Sequence, residues 1–226
     1  MQHSVNLGLP LAHPDPLRIA AYGQEATIID GLPARMAAPL RDAVLQACVA
    51  HTIVVGDVVV GARSVVVTHD SRDARRVRDV LEQCTLQMTQ IAAASSVPQS
   101  PLVEIAVRYD GDDLHAVAEH TGLRVREVIE LHSNAQYEVE FCGFAPGFAY
   151  LVGLPAILHV PRRTTPRPKV PPGAVAIANA YTAVYPRESP GGWHLVGVTT
   201  HEMWNLQRTT PAALTPGMRV RFREVS

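Results

Sequence analysis

Between residues 142 and 192 the chain carries six glycines and nine prolines, a density that no helix tolerates. Proline lacks the N–H that a helix interior needs, and glycine gives up too much backbone entropy there. This stretch is therefore read as loops and short strands. Further strands are expected at residues 175–178, 183–185, 195–199 and 218–223, and together they suggest a closed or nearly closed β-barrel.

The first half has a different texture. Residues 18–22 and 26–30 are short strand candidates joined through Gly23. Residues 37–49 place Leu40, Val44, Leu45 and Ala47 at helical spacing. Valine-rich runs at 53–60 and 64–68 flank Gly61-Ala62-Arg63, a hairpin signal. The clearest helix starts at Ser71, read as its N-cap with Asp73 in the first turn. Its apolar stripe runs through Ala74, Val77, Leu81, Cys84, Met88 and Ile91, suited to cover the preceding strands. Residues 95–101 read as an interdomain linker, and residues 1–16, rich in His and Pro, as a loose leader. After the linker come a strand at 102–109, a turn at Asp110-Gly111, a helix capped by Asp112 or Asp113 and ended by Gly122, a second helix at 125–132 and a strand at 137–141.

The expected organisation is α+β: an α/β sandwich domain over residues 1–95, then a barrel domain over 96–226 carrying the site. A content of 47% hydrophobic and 18% charged residues is that of a globular chain. Twenty basic against 21 acidic residues give no overall attraction to nucleic acid or to an anionic membrane surface. Three widely spaced cysteines argue against a disulfide framework and for a cytoplasmic setting. No metal site is expected, because no histidine stands in a zinc-binding spacing with cysteine. There is no phosphate-binding P-loop and no Gly-x-Ser-x-Gly elbow. Cys142 lies beside Phe141 and Gly143, with no sign of a thiolate-stabilising helix N-terminus.

Chemistry concentrates in three segments. In the run from Gly143 to Leu151, Phe144, Phe148 and Tyr150 stand at even spacing, which in an extended chain puts three rings on one side. They serve either a flat ligand or partner, or the barrel core. Residues 161–173 carry Arg162, Arg163, Arg167 and Lys169 on a backbone stiffened by proline, and arginine offers bidentate contacts to carboxylate or phosphate. A solvated basic face is the plainer alternative. Residues 185–194 hold Tyr185, Gly191-Gly192 and Trp193, either backbone amides open to a ligand beside a pocket wall or a tight hairpin closed by a buried ring.

Taken together, these segments resemble a known family. Phe144-Ala-Pro-Gly-Phe-Ala-Tyr150, then Pro161-Arg162 with Thr165-Pro166-Arg167 and Val170-Pro171-x-Gly173, then Tyr185-Pro186 with Ser189-Pro-Gly-Gly-Trp193, look like the signature of the B subunit of bacterial 5-oxoprolinase. That family is also called KipI, or allophanate hydrolase subunit 1. Tyr22-Gly23 and the stretch from Thr121-Gly122 to Leu131-His132 match as well, so the resemblance runs from about Arg18 to Arg223. It implies an N-terminal α/β domain, a cyclophilin-like barrel and an obligate partner, the C subunit. It also implies ATP-dependent conversion of 5-oxoproline to glutamate, completed by a third component, the A-type ring-opening subunit. Relatives form half of the carboxyltransferase region of urea carboxylase, acting on a urea-like substrate, and another inhibits a histidine kinase.

On this resemblance Arg162 and Arg167 hold a carboxylate or phosphoryl group. Phe148 and Tyr150 line the pocket, with Tyr181 and Tyr185, and Gly191-Gly192 offer backbone donors to the reacting carbonyl. His132 is the acid/base candidate, a packed helix-end histidine being the other reading. At one place the chain departs from the family. Where relatives read Ile-Ala-Gly-Gly-Gln-Thr-Gly-Ile-Tyr-Pro, this chain has Asn179, Ala180, Tyr181 and Ala183. Either the substrate differs there, or the Tyr181 hydroxyl takes over the glutamine's part.

Overall fold

A computed structural model describes residues 17–33, 35–88, 90 and 102–226. The leader at 1–16, the linker at 95–101 and Ile91 of the apolar stripe lie outside the described residues. The chain divides into two compact units, one from residues up to 91 and one from 92 onward, with 60–62 grouped with the later one.

The earlier unit is a sheet with strand order β1 (Arg18–Ala21), β2 (Ala26–Asp30), β4 (Ser64–His69), β3 (Val55–Val60). Alternation sets its covered face. Thr27 and Ile29 of β2 and Val65, Val67 and His69 of β4 are buried, while their neighbours in sequence are half-buried. Two helices contribute the opposing apolar stripes. α1 (Ala37–Ala50) buries Ala37, Leu40, Val44 and Cys48, and α2 (Ala74–Leu86) buries Val77, Val80, Leu81 and Cys84. The start of α2 differs from the expected Ser71 cap. Asp70 holds extended geometry and accepts from the Arg72 N–H at 2.9 Å, while Ser71 already belongs to a 3-10 turn. A capping side chain must sit on the last non-helical residue, and that is Asp70.

The later unit contains a seven-stranded sheet: β12 (His194–Val198), β9 (Ala174–Ala178), β10 (Tyr181–Val184), β7 (Ala149–Val152), β6 (Tyr137–Cys142), β13 (Arg219–Glu224), β5 (Leu102–Val107). β13 and β5 pair in parallel, and the other neighbours pair antiparallel. The two edges meet at the last residue of β12 and the residue just past β5. Arg108 and Val198 exchange both backbone hydrogen bonds, at 2.9 and 2.8 Å, so the sheet curls into a nearly closed barrel. Gly197 permits this approach, since a Cβ there would stand 2.5 Å from the Arg108 carbonyl oxygen.

The inward face draws one apolar cluster from every strand of that sheet, including Ile105, Tyr137, Leu151, Ile177, Val184, Val196 and Phe222. Helices α3 (Leu114–Thr121) and α4 (Val125–Asn134) add Leu114, Val117, Val128 and Ile129. α3 ends at Gly122 in the left-handed region, φ 70°, as its sequence predicts. The remaining strands, β8 (Arg167–Val170) and β11 (Ser189–Gly191), form a separate two-stranded ribbon. Pro168 is exposed in β8, the kind of position where a strand tolerates proline. Among the described residues, the Gly/Pro-rich stretch holds a single 3-10 turn, Ala156–Leu158, and no α-helix. No described helix is long and apolar enough to cross a membrane.

Candidate functional site

The outward face of β7, β9, β10 and β12 carries a second cluster. Ala174, Ala176 and Ala178 of β9 alternate with the inward Val175 and Ile177, and Ala183 does the same in β10. Small residues here leave room for rings. Phe148 stands at the centre, 2% exposed, with its centroid 5.0 Å from Tyr150, 5.2 Å from Tyr185 and 5.7 Å from Trp193. Tyr150 stacks on Phe141 at 4.2 Å and meets Tyr181 edge-on at 5.7 Å. The even-spacing argument holds for Phe148 and Tyr150 and fails for Phe144. That residue has φ 67° in a turn, is 60% exposed, and reaches Phe148 only edge-on at 5.2 Å.

The basic loop beside this cluster is clamped. Asp113, expected as a helix cap, sits at the N-cap position of α3 and makes no cap bond. Its carboxylate instead accepts from Arg167 at 2.7 and 3.0 Å, from Arg163, and from the Leu195 backbone N–H at 2.8 Å. Its own N–H donates to the Leu195 carbonyl at 2.9 Å. Burial pushes the Asp113 carboxyl pKa up, but the Arg167 hydrogen bonds, the Leu195 N–H and both guanidinium charges outweigh it, and the net shift is downward. Lys169 pairs with Glu188 at 3.1 Å on the surface. Among the described residues Arg162 alone of the four loop cations has no acidic partner. It is exposed, and its charge acts on two rings of the cluster: burial raises the Tyr150 and Tyr185 phenol pKa values, and Arg162 pulls both partly back.

The other expected site residues fall in distinct places. His132 lies on the opposite, inward face, 1% exposed, stacked on Phe222 at 4.7 Å. Thr182 donates its hydroxyl proton to the Ala176 carbonyl at 3.1 Å. It therefore accepts from His132 Nε2–H at 2.9 Å, and the Tyr109 hydroxyl donates to Nδ1 at 2.7 Å. Desolvation lowers the His132 pKa to about 3, so the ring is neutral, with both nitrogens engaged inside the core. Tyr185 is 2% exposed, and its hydroxyl lies against Gly191. Gly191 lies in β11, where an added Cβ would collide with that hydroxyl; the Gly192 carbonyl accepts from the Arg163 N–H at 2.8 Å. Packing against Tyr185 thus requires glycine at 191, whereas a Cβ at Gly192 would meet only ordinary contacts, from 3.8 Å outward.

At the place of departure from the family, Asn179 turns the β9–β10 hairpin with φ 52°, a left-handed conformation that asparagine tolerates. Tyr181 donates its hydroxyl to Glu140 Oε2 at 2.6 Å. Glu140 is a buried acid that the sequence does not single out: nothing in the spacing of an isolated acidic residue marks its burial.

The resemblance brings ATP with it. Of the four cations in the basic loop, three are engaged by carboxylates among the described residues, which leaves Arg162 as the open one. No described group of three His, Cys, Asp or Glu side chains is placed to hold a metal ion.

This barrel-like sheet, with its outward aromatic face and clamped basic loop, has a family counterpart. Residues 17–214 match the model of the carboxyltransferase domain, subdomains C and D, and the chain belongs to that family. It is 48% identical over 128 residues to the 5-oxoprolinase B subunit of Escherichia coli O157:H7, covering 55% of this chain and 59% of that protein. It is 42% identical over 128 residues to the 5-oxoprolinase B subunit of Bacillus subtilis, covering 55% and 53%. The matches thus span little more than half the length of these relatives. Among solved structures, TTHA0988 aligns with TM-score 0.73 and 33% identity over 89% of this chain and 40% of its own. The urea carboxylase of Kluyveromyces lactis aligns with TM-score 0.64 over 93% of this chain and 22% of its own; at 16% identity that likeness is one of fold.

Proposed function

We propose that this chain is the B subunit of a 5-oxoprolinase, an amide-ring hydrolase that adds water across the lactam C–N bond of 5-oxoproline to give glutamate. It works with counterparts of the C and A components, and is inactive without them. The observation that carries the reading is the 42–48% identity to proteins of that name. The geometry is compatible with it. A five-membered ring lies against Tyr150 at the edge of the aromatic cluster, and its carboxylate meets Arg162, the loop cation without an acidic partner. Arg167 and Arg163, joined to Asp113, hold the loop in position, and His132 remains a core residue. We assign the nucleotide to a partner subunit, a placement supported by the engagement of Arg163, Arg167 and Lys169. The buried Cys48 and Cys84, each present as a thiol, support a cytoplasmic complex.

Co-expression with homologues of the A and C components, purification of the complex and assay of glutamate release from 5-oxoproline with ATP tests the reading. An intact complex that releases no glutamate overturns it. One observation favours a second reading, carboxyl transfer to a urea-like substrate: the matching family model describes a carboxyltransferase domain. Specific binding of a biotinylated carrier protein to the complex supports that alternative.

A further inference from the structure

Glu140 is the least explained acid in the barrel. It is 9% exposed, and a buried carboxylate is costly unless donors surround it. Its strand carries a register shift between Val139 and Phe141, a bulge of the kind that re-aims a side chain. Tyr181 supplies one donor, at 2.6 Å to Oε2. Burial, with the Glu140 contact, raises the Tyr181 pKa well above its ordinary value, so the phenol stays protonated and keeps donating. Oε1 has no donor among the described residues and keeps some contact with solvent. An ionised carboxylate can accept several hydrogen bonds, and this one has a single protein donor among the described residues. Across Tyr181 lies Tyr150, 5.7 Å between ring centroids, and Tyr150 is one of the two rings on which the Arg162 charge acts.

We propose that Glu140, held in orientation by Tyr181, accepts the ring N–H of the ligand, so that the site selects carboxylated lactams over analogues with oxygen or an alkylated nitrogen in that ring position. Tyr181 is a positioning residue. Its hydroxyl, committed to Glu140, acts on the ligand through that carboxylate. The inference rests on the reading of this site as the 5-oxoproline site, where Arg162 meets the carboxylate and Glu140 the adjacent N–H.

The test is calorimetric titration of the assembled complex with 5-oxoproline and with its ring-oxygen analogue, the γ-lactone carboxylate. A charge-assisted hydrogen bond corresponds to about tenfold or more in affinity, and the wild-type complex should prefer the lactam by that factor. In Glu140→Gln, Tyr181 holds the amide oxygen and turns the NH2 toward the ligand, so the preference should vanish or invert. The double variant Glu140→Met/Tyr181→Phe removes both polar partners with little change of shape and should bind both ligands equally, with lactone affinity unchanged within about twofold. Melting temperatures of each variant establish folding, and Glu140→Gln decides alone where the double variant does not fold. A lactam preference that survives in a folded variant overturns the role of Glu140 and leaves the substrate reading standing. Failure of the wild-type complex to bind 5-oxoproline overturns both.

Discussion

Removing the Asp113 carboxylate should unfasten the basic loop, and the structure sets the size of the effect. In Asp113→Ala, Arg167 loses two hydrogen bonds, Arg163 loses one, and the buried Leu195 N–H loses its acceptor. Breaking a fully buried ion pair costs about 3–5 kcal/mol. The Arg163 and Arg167 side chains keep 31% and 19% exposure, so part of their charge remains solvated and the low end applies. The orphaned amide adds about 1 kcal/mol or more. The expected loss is about 3–4 kcal/mol, read from urea denaturation of the wild-type and variant chains. Lys169→Ala is the control, because its pair with Glu188 is exposed on both sides and should shift stability by under about 1 kcal/mol. The pH dependence has a definite sign. The Asp113 pKa is lower folded than unfolded, so its stabilisation is complete above the unfolded value of about 3.9 and is lost as pH falls through the folded one. An Asp113→Ala loss no larger than that of Lys169→Ala would refute the clamp.

His132 predicts a second acid sensitivity. Its folded pKa of about 3 lies below the ordinary 6.5, so the unfolded chain takes up a proton that the native core refuses. Its contribution is complete above pH 6.5, and each pH unit below that removes about 1.4 kcal/mol, down to about pH 3. Denaturation curves at about pH 7 and about pH 5.5 should show a shallower pH slope in His132→Gln, by about 0.6 proton on average; identical slopes contradict the buried neutral ring. Gly197→Ala should force the Arg108 and Val198 edges apart, at about 1–3 kcal/mol. Hydrogen exchange should accelerate selectively at the amides of those two residues, and unchanged protection would count against barrel closure there.

Local structure was largely legible, because it depends on local signals. Gly122 ends α3 where it should, and the valine-rich runs became β3 and β4. The aromatic, basic and Gly-Gly-Trp segments also meet, through the Phe148–Trp193 ring contact and the β8–β11 ribbon. The remainder depends on contacts between positions far apart. Asp113 looks like a helix cap because Asp is a good one, yet its acid is claimed by arginines 50 and 54 residues away. That claim removes Arg167 from the set of open cations and leaves Arg162. His132 shares a helix end with exposed neighbours, and only its contact with Thr182, 50 residues on, reveals it as core. The even spacing of Phe144 with Phe148 misled because Gly147 and a left-handed Phe144 break the extended backbone between them.

The central claim is that Arg162 receives the substrate carboxylate while its neighbours in the loop hold the fold. The most direct measurement is the KM for 5-oxoproline of complexes carrying Arg162→Ala, with melting temperature recorded alongside. A rise of about tenfold or more in KM, at unchanged melting temperature, is the predicted result. A wild-type KM in a folded Arg162→Ala complex would contradict the account.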